Sequence, residues 1–294
     1  MIHILTLHFG TPAWLDIQKK YILNYTDPEK YKLWMGKYNL DIPPDFDLPD
    51  NWELIDLDEK YPKEKKNEHY LQAEWMYESI LRHEMEDDDV IIFMDNDAFP
   101  CVTQEWTKIV TEALEENQVF ALLQFENRGI AQPDQYHPYP DLCFFATTKK
   151  NKREFNLEWG LFEPFHQNPG FGMADRIRDA NCTIGTIRRT NVFNFHNVMF
   201  GVYGNMIYHQ ACGSRAIIGR PMATAKATPN TTRQCYTGID LLHRRHLGDW
   251  NNESFEEKCA DIIEVNTQIF DTVYNKIKED HTCTFIKRAF LGIN

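Results

Sequence analysis

The chain has 294 residues, 44 of them acidic and 31 basic, for a formal net charge of −13 at pH 7. A balance this acidic repels phosphate backbones, and no Lys/Arg-rich helix interrupts it, so nucleic acid is not expected as a partner. The length suits one large α/β domain or two small ones, and we take it as one. The seven cysteines, at 101, 143, 182, 212, 235, 259 and 283, are widely spaced and form no Cys-x-x-Cys pair, so neither a disulfide framework nor a zinc ribbon is indicated. No secretory leader pattern opens the sequence and no apolar run is long enough to span a bilayer. The expectation is a cytoplasmic protein without a membrane span, in the host cytoplasm if the source is viral.

Ile2 to Phe9 predicts a first strand, and Gly10-Thr11-Pro12 a flexible turn, an N-cap and a proline at the first helical position. The following helix carries Trp14, Ile17, Tyr21 and Tyr25 at spacings of three and four, so one face is apolar. Residues 41 to 51, rich in Pro and Asp, form a loop before a strand at Glu53 to Leu57. A helix over Asn67 to Met85 puts Tyr70, Ala73, Tyr77 and Ile80 on one side. Next, Val90-Ile91-Ile92-Phe93-Met94 reads as a buried strand that Pro100 stops, which leaves Asp95 and Asp97 at its C-terminal end. Thr103 can cap a helix bearing Trp106, Ile109, Val110 and Ala113, and Val119 to Leu123 reads as another buried strand. This alternation favours a parallel sheet. Beyond residue 125 the pattern is broken by Pro133, Pro138, Pro140 and Gly170 into short pieces of the kind that carry acceptor sites. From Phe255, the positions Cys259, Ile262, Asn266, Ile269, Val273 and Ile277 predict a long amphipathic helix that either closes the domain or pairs two chains as a homo-oligomer.

In an open α/β sheet, ligands bind at the C-terminal ends of the strands. Two carboxylates at such an end repel one another unless a hard cation neutralises them, and such a cation commonly keeps positions for substrate phosphates. The predicted chemistry is a divalent metal holding a diphosphate. Taken alone, Asp-x-Asp also reads as a solvated turn.

An apolar strand ending in Asp-x-Asp resembles the metal-binding motif of GT-A-fold glycosyltransferases, which use nucleotide-sugar donors. Three further segments resemble a set of bacterial and viral nucleotide-diphospho-sugar transferase-like proteins. Asp97-Ala98-Phe99-Pro100 follows the acidic motif directly. Gln124-Phe125-Glu126-Asn127-Arg128-Gly129 leads to His137-Pro138 and then Cys143-Phe144-Phe145. Gly201-Val202-Tyr203-Gly204-Asn205-Met206-Ile207-Tyr208-His209, continuing through Gly213, is similar to the set's Tyr-Gly-x-x-x-x-His strand and glycine turn. The chain departs from the pattern at Tyr139 to Leu142, an insertion after His137-Pro138, and at Met173-Ala174-Asp175-Arg176, where Asp-x-Gly is common and only the Asp transfers.

The resemblance implies an α/β fold, a GT-A-like (Rossmann-like) mixed sheet, mostly parallel, with helices on both faces. It implies a nucleotide-sugar and acceptor core over about residues 1–215 and a C-terminal extension over about 216–294. The implied activity is metal-dependent transfer of a sugar from a nucleoside-diphosphate donor, a UDP-sugar foremost, to a hydroxyl of a glycan or other acceptor. Asp97 would bind Mn²⁺ or Mg²⁺ directly, Asp95 would help through the metal or the donor ribose, and His209 would complete the shell. Gly10, Thr11, Asn67 and His69 would lie near the nucleotide. Asp175 would deprotonate the acceptor if the reaction inverts, with Asp179 four residues later as a substitute. Each has a plainer reading, His209 as a core histidine and Asp175 to Asp179 as a salt-bridged helix. Two other classes stay open. A haloacid-dehalogenase-like phosphatase also begins its site with Asp-x-Asp, although Phe99 stands where Thr or Val is usual. A non-catalytic carbohydrate-binding protein could draw stacking surfaces from 7 Trp, 13 Tyr and 19 Phe.

Overall fold

The computed structural model describes residues 1–63, 69–124, 139–160, 169–195, 199–211 and 268–293. Seven strands build the main sheet, β1 (Ile2–Phe9), β2 (Tyr31–Tyr38), β3 (Trp52–Asp56), β4 (Val90–Asp95), β6 (Val119–Gln124), β7 (Tyr139–Thr148) and β8 (Ile184–Ile187), in the order β3-β2-β1-β4-β7-β6-β8. All run the same way except β7, which is antiparallel to both neighbours. A second sheet of three-residue strands, β5 (Ala98–Pro100), β9 (Gly201–Tyr203) and β10 (Ile207–His209), has β10 at its centre. The helices are α1 (Leu15–Tyr25), α2 (Leu57–Lys60), α3 (His69–Ser79), α4 (Trp106–Glu116), α5 (Lys149–Glu154), α6 (Pro169–Asp179), α7 (residues 268–279) and α8 (Phe285–Leu291). The expected mixed, mostly parallel α/β architecture is present.

Alternation along the central strands divides the core in two. Ile4, Leu33, Ile92 and Phe144 pack with Ile17, Tyr21 and Ile22 of α1, Trp106 and Val110 of α4, and Phe290 of α8. Leu5, Trp34, Ile91, Phe93 and Phe145 face the other way, onto Tyr70, Ala73 and Met76 of α3 and Met173 and Ile177 of α6. With both faces covered, β4 carries a continuous apolar run rather than an alternating one.

Several elements differ from the sequence expectation. β2 lies at the heart of the parallel half, yet Lys32 and Lys37 interrupt its apolar pattern. Both ammonium groups have partners: Lys32 sits 3.7 Å above the ring of Trp34 on its own strand and 3.1 Å from Glu53 on β3, and Lys37 reaches Asp56 of β3 at 2.5 Å. Gly36 lets α3 approach, since a Cβ there would stand 2.5 Å from both Leu7 Cδ2 and Met76 Sδ. The predicted 67–85 helix begins at His69 among the described residues and ends at Ser79, followed by a 3₁₀ turn over Leu81–Glu84. Asn67 lies outside the described residues. Thr11 and Thr103 do not cap helices. The Thr11 hydroxyl accepts from Ala13 N at 3.3 Å and that of Thr103 from Glu105 N at 3.1 Å, each a local turn before the helix starts. Ile109, expected on the apolar face, is exposed.

The described part of the long C-terminal helix packs on its own chain. Phe270, Val273 and Ile277 are buried in the core shared with α1, and Tyr274 donates to Ala13 O at 3.0 Å. Lys20 of α1 donates to the carbonyls of Ile277, Lys278 and Asp280 at 2.8, 3.1 and 2.8 Å, placing a cation on the negative end of α7. Among the described residues no helix is long and apolar enough to cross a membrane.

Candidate metal centre

β4 delivers Asp95 to the C-terminal edge of the sheet, level with Leu7 of β1. The chain then turns through Asn96 and Asp97 and re-enters extended structure as β5, so β4 ends at Asp95, before Pro100, and Pro100 is instead the last residue of a strand in a second ladder. Its partner is β10, with Ile207 opposite Pro100, Tyr208 opposite Phe99 and His209 opposite Ala98. Gln210 N donates to Asp97 O at 3.0 Å, extending the pairing by one residue. β9 and β10 are joined by a three-residue loop, Gly204-Asn205-Met206, whose first two residues have positive φ (59° and 52°) and in which Met206 N donates to Tyr203 O at 3.0 Å. Glycine and asparagine are the residues that tolerate this geometry. The Tyr203-Gly204 motif is therefore a turn that aims β10, and His209 is what it aims.

As a result, Asp95, Asp97 and His209 converge, one ligand atom from each lying within 4.8 Å of the others. His209 Nε2 is 3.5 Å from Asp97 Oδ1 and 3.9 Å from Asp95 Oδ2. Two ligands of one small divalent ion, each about 2.1 Å from it, are about 3.0 Å apart when cis and about 4.2 Å apart when trans. Both observed separations fall inside that interval. Asp97 and His209 are buried and Asp95 is partly open, so the cluster has a closed side in the protein and an open side toward solvent. Two carboxylates and an imidazole form a donor set that could hold a divalent cation with positions left over. Beneath the cluster the Tyr208 phenol donates to Gln210 Oε1 at 2.7 Å, and burial, reinforced by the charge of Asp97, raises its pKa well above the ordinary value.

Backbone strain accompanies this geometry. Phe200 (φ 62°) and Ala211 (φ 58°) both occupy the left-handed region, where a Cβ is unfavourable, and Phe200 N donates to Gln210 O at 3.1 Å. They flank His209 at the ends of the β9–β10 hairpin.

Of the other predicted site residues, Gly10 and Thr11 follow β1 at the same sheet edge as Asp95. Gly10 has φ 66° and donates its N–H to Tyr38 O at 3.2 Å, and Thr11 is buried. His69 opens α3, the helix between parallel strands β3 and β4, and a helix in that position starts from the strands' C-terminal edge. Asp175 is not among the residues brought to the cluster. Its Oδ1 is 2.7 Å from Arg178, which also contacts Asp179 at 3.1 Å, near the end of α6 from which the chain enters β8. His137, His166, His196, Gly213 and the Gln124-to-Gly129 loop beyond Gln124 lie outside the described residues. Sequence reasoning passed over Gln18 of α1, whose side chain lies under the acidic turn. Its signal was a lone amide on a helix face otherwise made of Trp14, Ile17 and Tyr21.

No family model matches the chain, and no curated protein does. Solved structures to which it is similar include S. aureus TarS 1-349 in complex with UDP-GlcNAc, at 9% identity over 99% of this chain and 92% of that one with a TM-score of 0.39. The galactosyltransferase LgtC, in complex with donor and acceptor sugar analogs, is 14% identical over 79% of this chain and 95% of its own, with a TM-score of 0.37. The glycosyltransferase GlyE of Streptococcus pneumoniae is 11% identical over 62% of this chain and 44% of its own, with a TM-score of 0.36. Likeness at this level transfers no residue and no activity. The description of the fold as mixed, mostly parallel α/β stands on the sheet order and the single reversed strand.

Proposed function

We propose that this protein is a metal-dependent glycosyltransferase that moves a sugar from a nucleoside diphosphate, a UDP-sugar foremost, to a hydroxyl of a glycan or other acceptor in the cytoplasm. The observation that carries the reading is the convergence of Asp95, Asp97 and His209 at the C-terminal edge of the sheet. A buried carboxylate that faces a second carboxylate and an imidazole is an arrangement that a divalent cation relieves and a salt bridge alone does not require. When bound, Mn²⁺ or Mg²⁺ would act as a Lewis acid on the departing diphosphate.

In this reading Asp97 and His209, buried and fixed by the β5–β10 pairing, are the rigid ligands, and the more open Asp95 also faces the donor. Gly10 and Thr11 would supply backbone at the same edge for the nucleotide, with His69 a further contact; Asn67, a candidate from the sequence, lies outside the described residues. Asp175, 2.7 Å from Arg178, is the candidate base for an inverting course. In a retaining course the donor phosphate takes that part.

A thermal-shift panel of nucleoside diphosphates with and without Mn²⁺ tests class and donor together, because a ligand of the native state raises the melting temperature by mass action. A shift with one nucleotide only when Mn²⁺ is present supports the reading. Metal-dependent release of phosphate from phosphomonoesters, with no nucleotide binding, would instead favour the phosphatase class.

A further inference from the structure

The acidic turn is held from below by one buried side chain. Gln18 of α1 is fully buried, and its amide nitrogen donates to Asp95 O and to Ala98 O, each at 2.8 Å. Its amide oxygen accepts from Thr6 Oγ at 3.2 Å and lies 2.9 Å from His8 Nε2. A primary amide has two donor hydrogens and two acceptor lone pairs, and all four are used here. Because both carbonyls can only accept, the nitrogen must face the turn, and His8 must then carry its proton on Nε2. The two carbonyls belong to the first and last residues of Asp95-Asn96-Asp97-Ala98, the turn that carries both acids.

We propose that Gln18 is a positioning residue that sets the spacing of the Asp95 and Asp97 carboxylates for metal binding by clamping both ends of their turn. This rests on the metal-dependent reading above. The physical cause is repulsion. Without a cation the two carboxylates favour a splayed turn, and a clamp that holds the backbone at both ends removes that freedom before the ion arrives. Loss of the clamp makes the ion order the turn as it binds. The loss should therefore appear in metal affinity and not only in stability, and outer-shell partners of metal ligands typically account for roughly 10–100-fold in affinity.

The test is direct Mn²⁺ binding, read by the loss of the free-ion paramagnetic resonance signal, for the full chain and for Gln18→Leu, with no nucleotide present. Gln18→Asn keeps the amide but shortens its reach by one methylene, and it serves if Gln18→Leu does not fold. Val110→Ala, at a buried apolar position on α4 whose side chain can make no hydrogen bond to the turn, is the control for stability alone. The expected result is Mn²⁺ affinity reduced about tenfold or more in either Gln18 variant at matched folded fraction, and unchanged affinity in Val110→Ala despite a lowered melting temperature. Wild-type affinity in a folded Gln18 variant overturns the proposal while leaving the metal reading intact. Absence of Mn²⁺ binding in the wild-type chain overturns both.

Discussion

His209 and Ala98 sit directly opposite one another in the antiparallel pair of β10 and β5, and this register puts the His209 imidazole 3.5 Å from the carboxylate of Asp97, the residue before Ala98. Residues more than a hundred positions apart thus become neighbours through three backbone pairings. His209→Ala should weaken Mn²⁺ binding at least about tenfold, with the melting temperature in EDTA changed little. A histidine serving only the core would show the reverse, lost stability with unchanged affinity, and a Mn²⁺ titration at matched folded fraction separates the two.

Asp97→Asn removes the buried charge that faces Asp95 and His209. It should abolish Mn²⁺-dependent activity while leaving the metal-free protein as stable as wild type or more so, since a repulsive pair is relieved. Ile92→Ala, three residues upstream of Asp95 and fully buried, should do the opposite, lowering stability by about 2–5 kcal/mol with metal affinity preserved. Urea denaturation in EDTA, paired with Mn²⁺ titration, checks both.

His8 predicts a pH dependence of folding. It is buried, and burial holds its pKa down to about 4, against an ordinary value of 6.5. The unfolded chain therefore binds a proton that the folded chain refuses. This contribution is fully present above about pH 6.5, falls as the pH drops toward about 4, and declines no further below that. The full difference is on the order of 3 kcal/mol. Urea unfolding at pH 7 and pH 5 should show a wild-type loss that exceeds that of His8→Gln by about 2 kcal/mol. Equal losses in the two proteins would contradict the assignment.

Much of the fold is legible in the sequence where burial is two-sided and local. β4 and β6 are near-continuous apolar runs, β1 is an apolar strand interrupted by His3, Thr6 and His8, and α1 announces itself by Trp14, Ile17, Tyr21 and Tyr25. β2 is not legible, because Lys32 and Lys37 find their partners in Trp34, Glu53 and Asp56, and the sequence does not say that β3 will lie alongside. β8 and the strands of the small sheet are four and three residues long, too short for any periodicity. The two acids of the site are visible as a motif, and His209 is visible only through resemblance, since its approach depends on β10 pairing with β5. Gln18 is polar on an apolar helix face, a feature that sequence marks without giving its purpose.

The most direct test of the central claim is calorimetric titration of the protein with UDP, and then with other nucleoside diphosphates, in Mn²⁺ and again in EDTA. The account predicts that one nucleotide binds in Mn²⁺, that EDTA abolishes its binding, and that Asp97→Asn removes it in Mn²⁺. Equal affinity with and without metal, or undiminished binding by Asp97→Asn, would contradict a site in which Asp95, Asp97 and His209 hold the diphosphate through a shared cation.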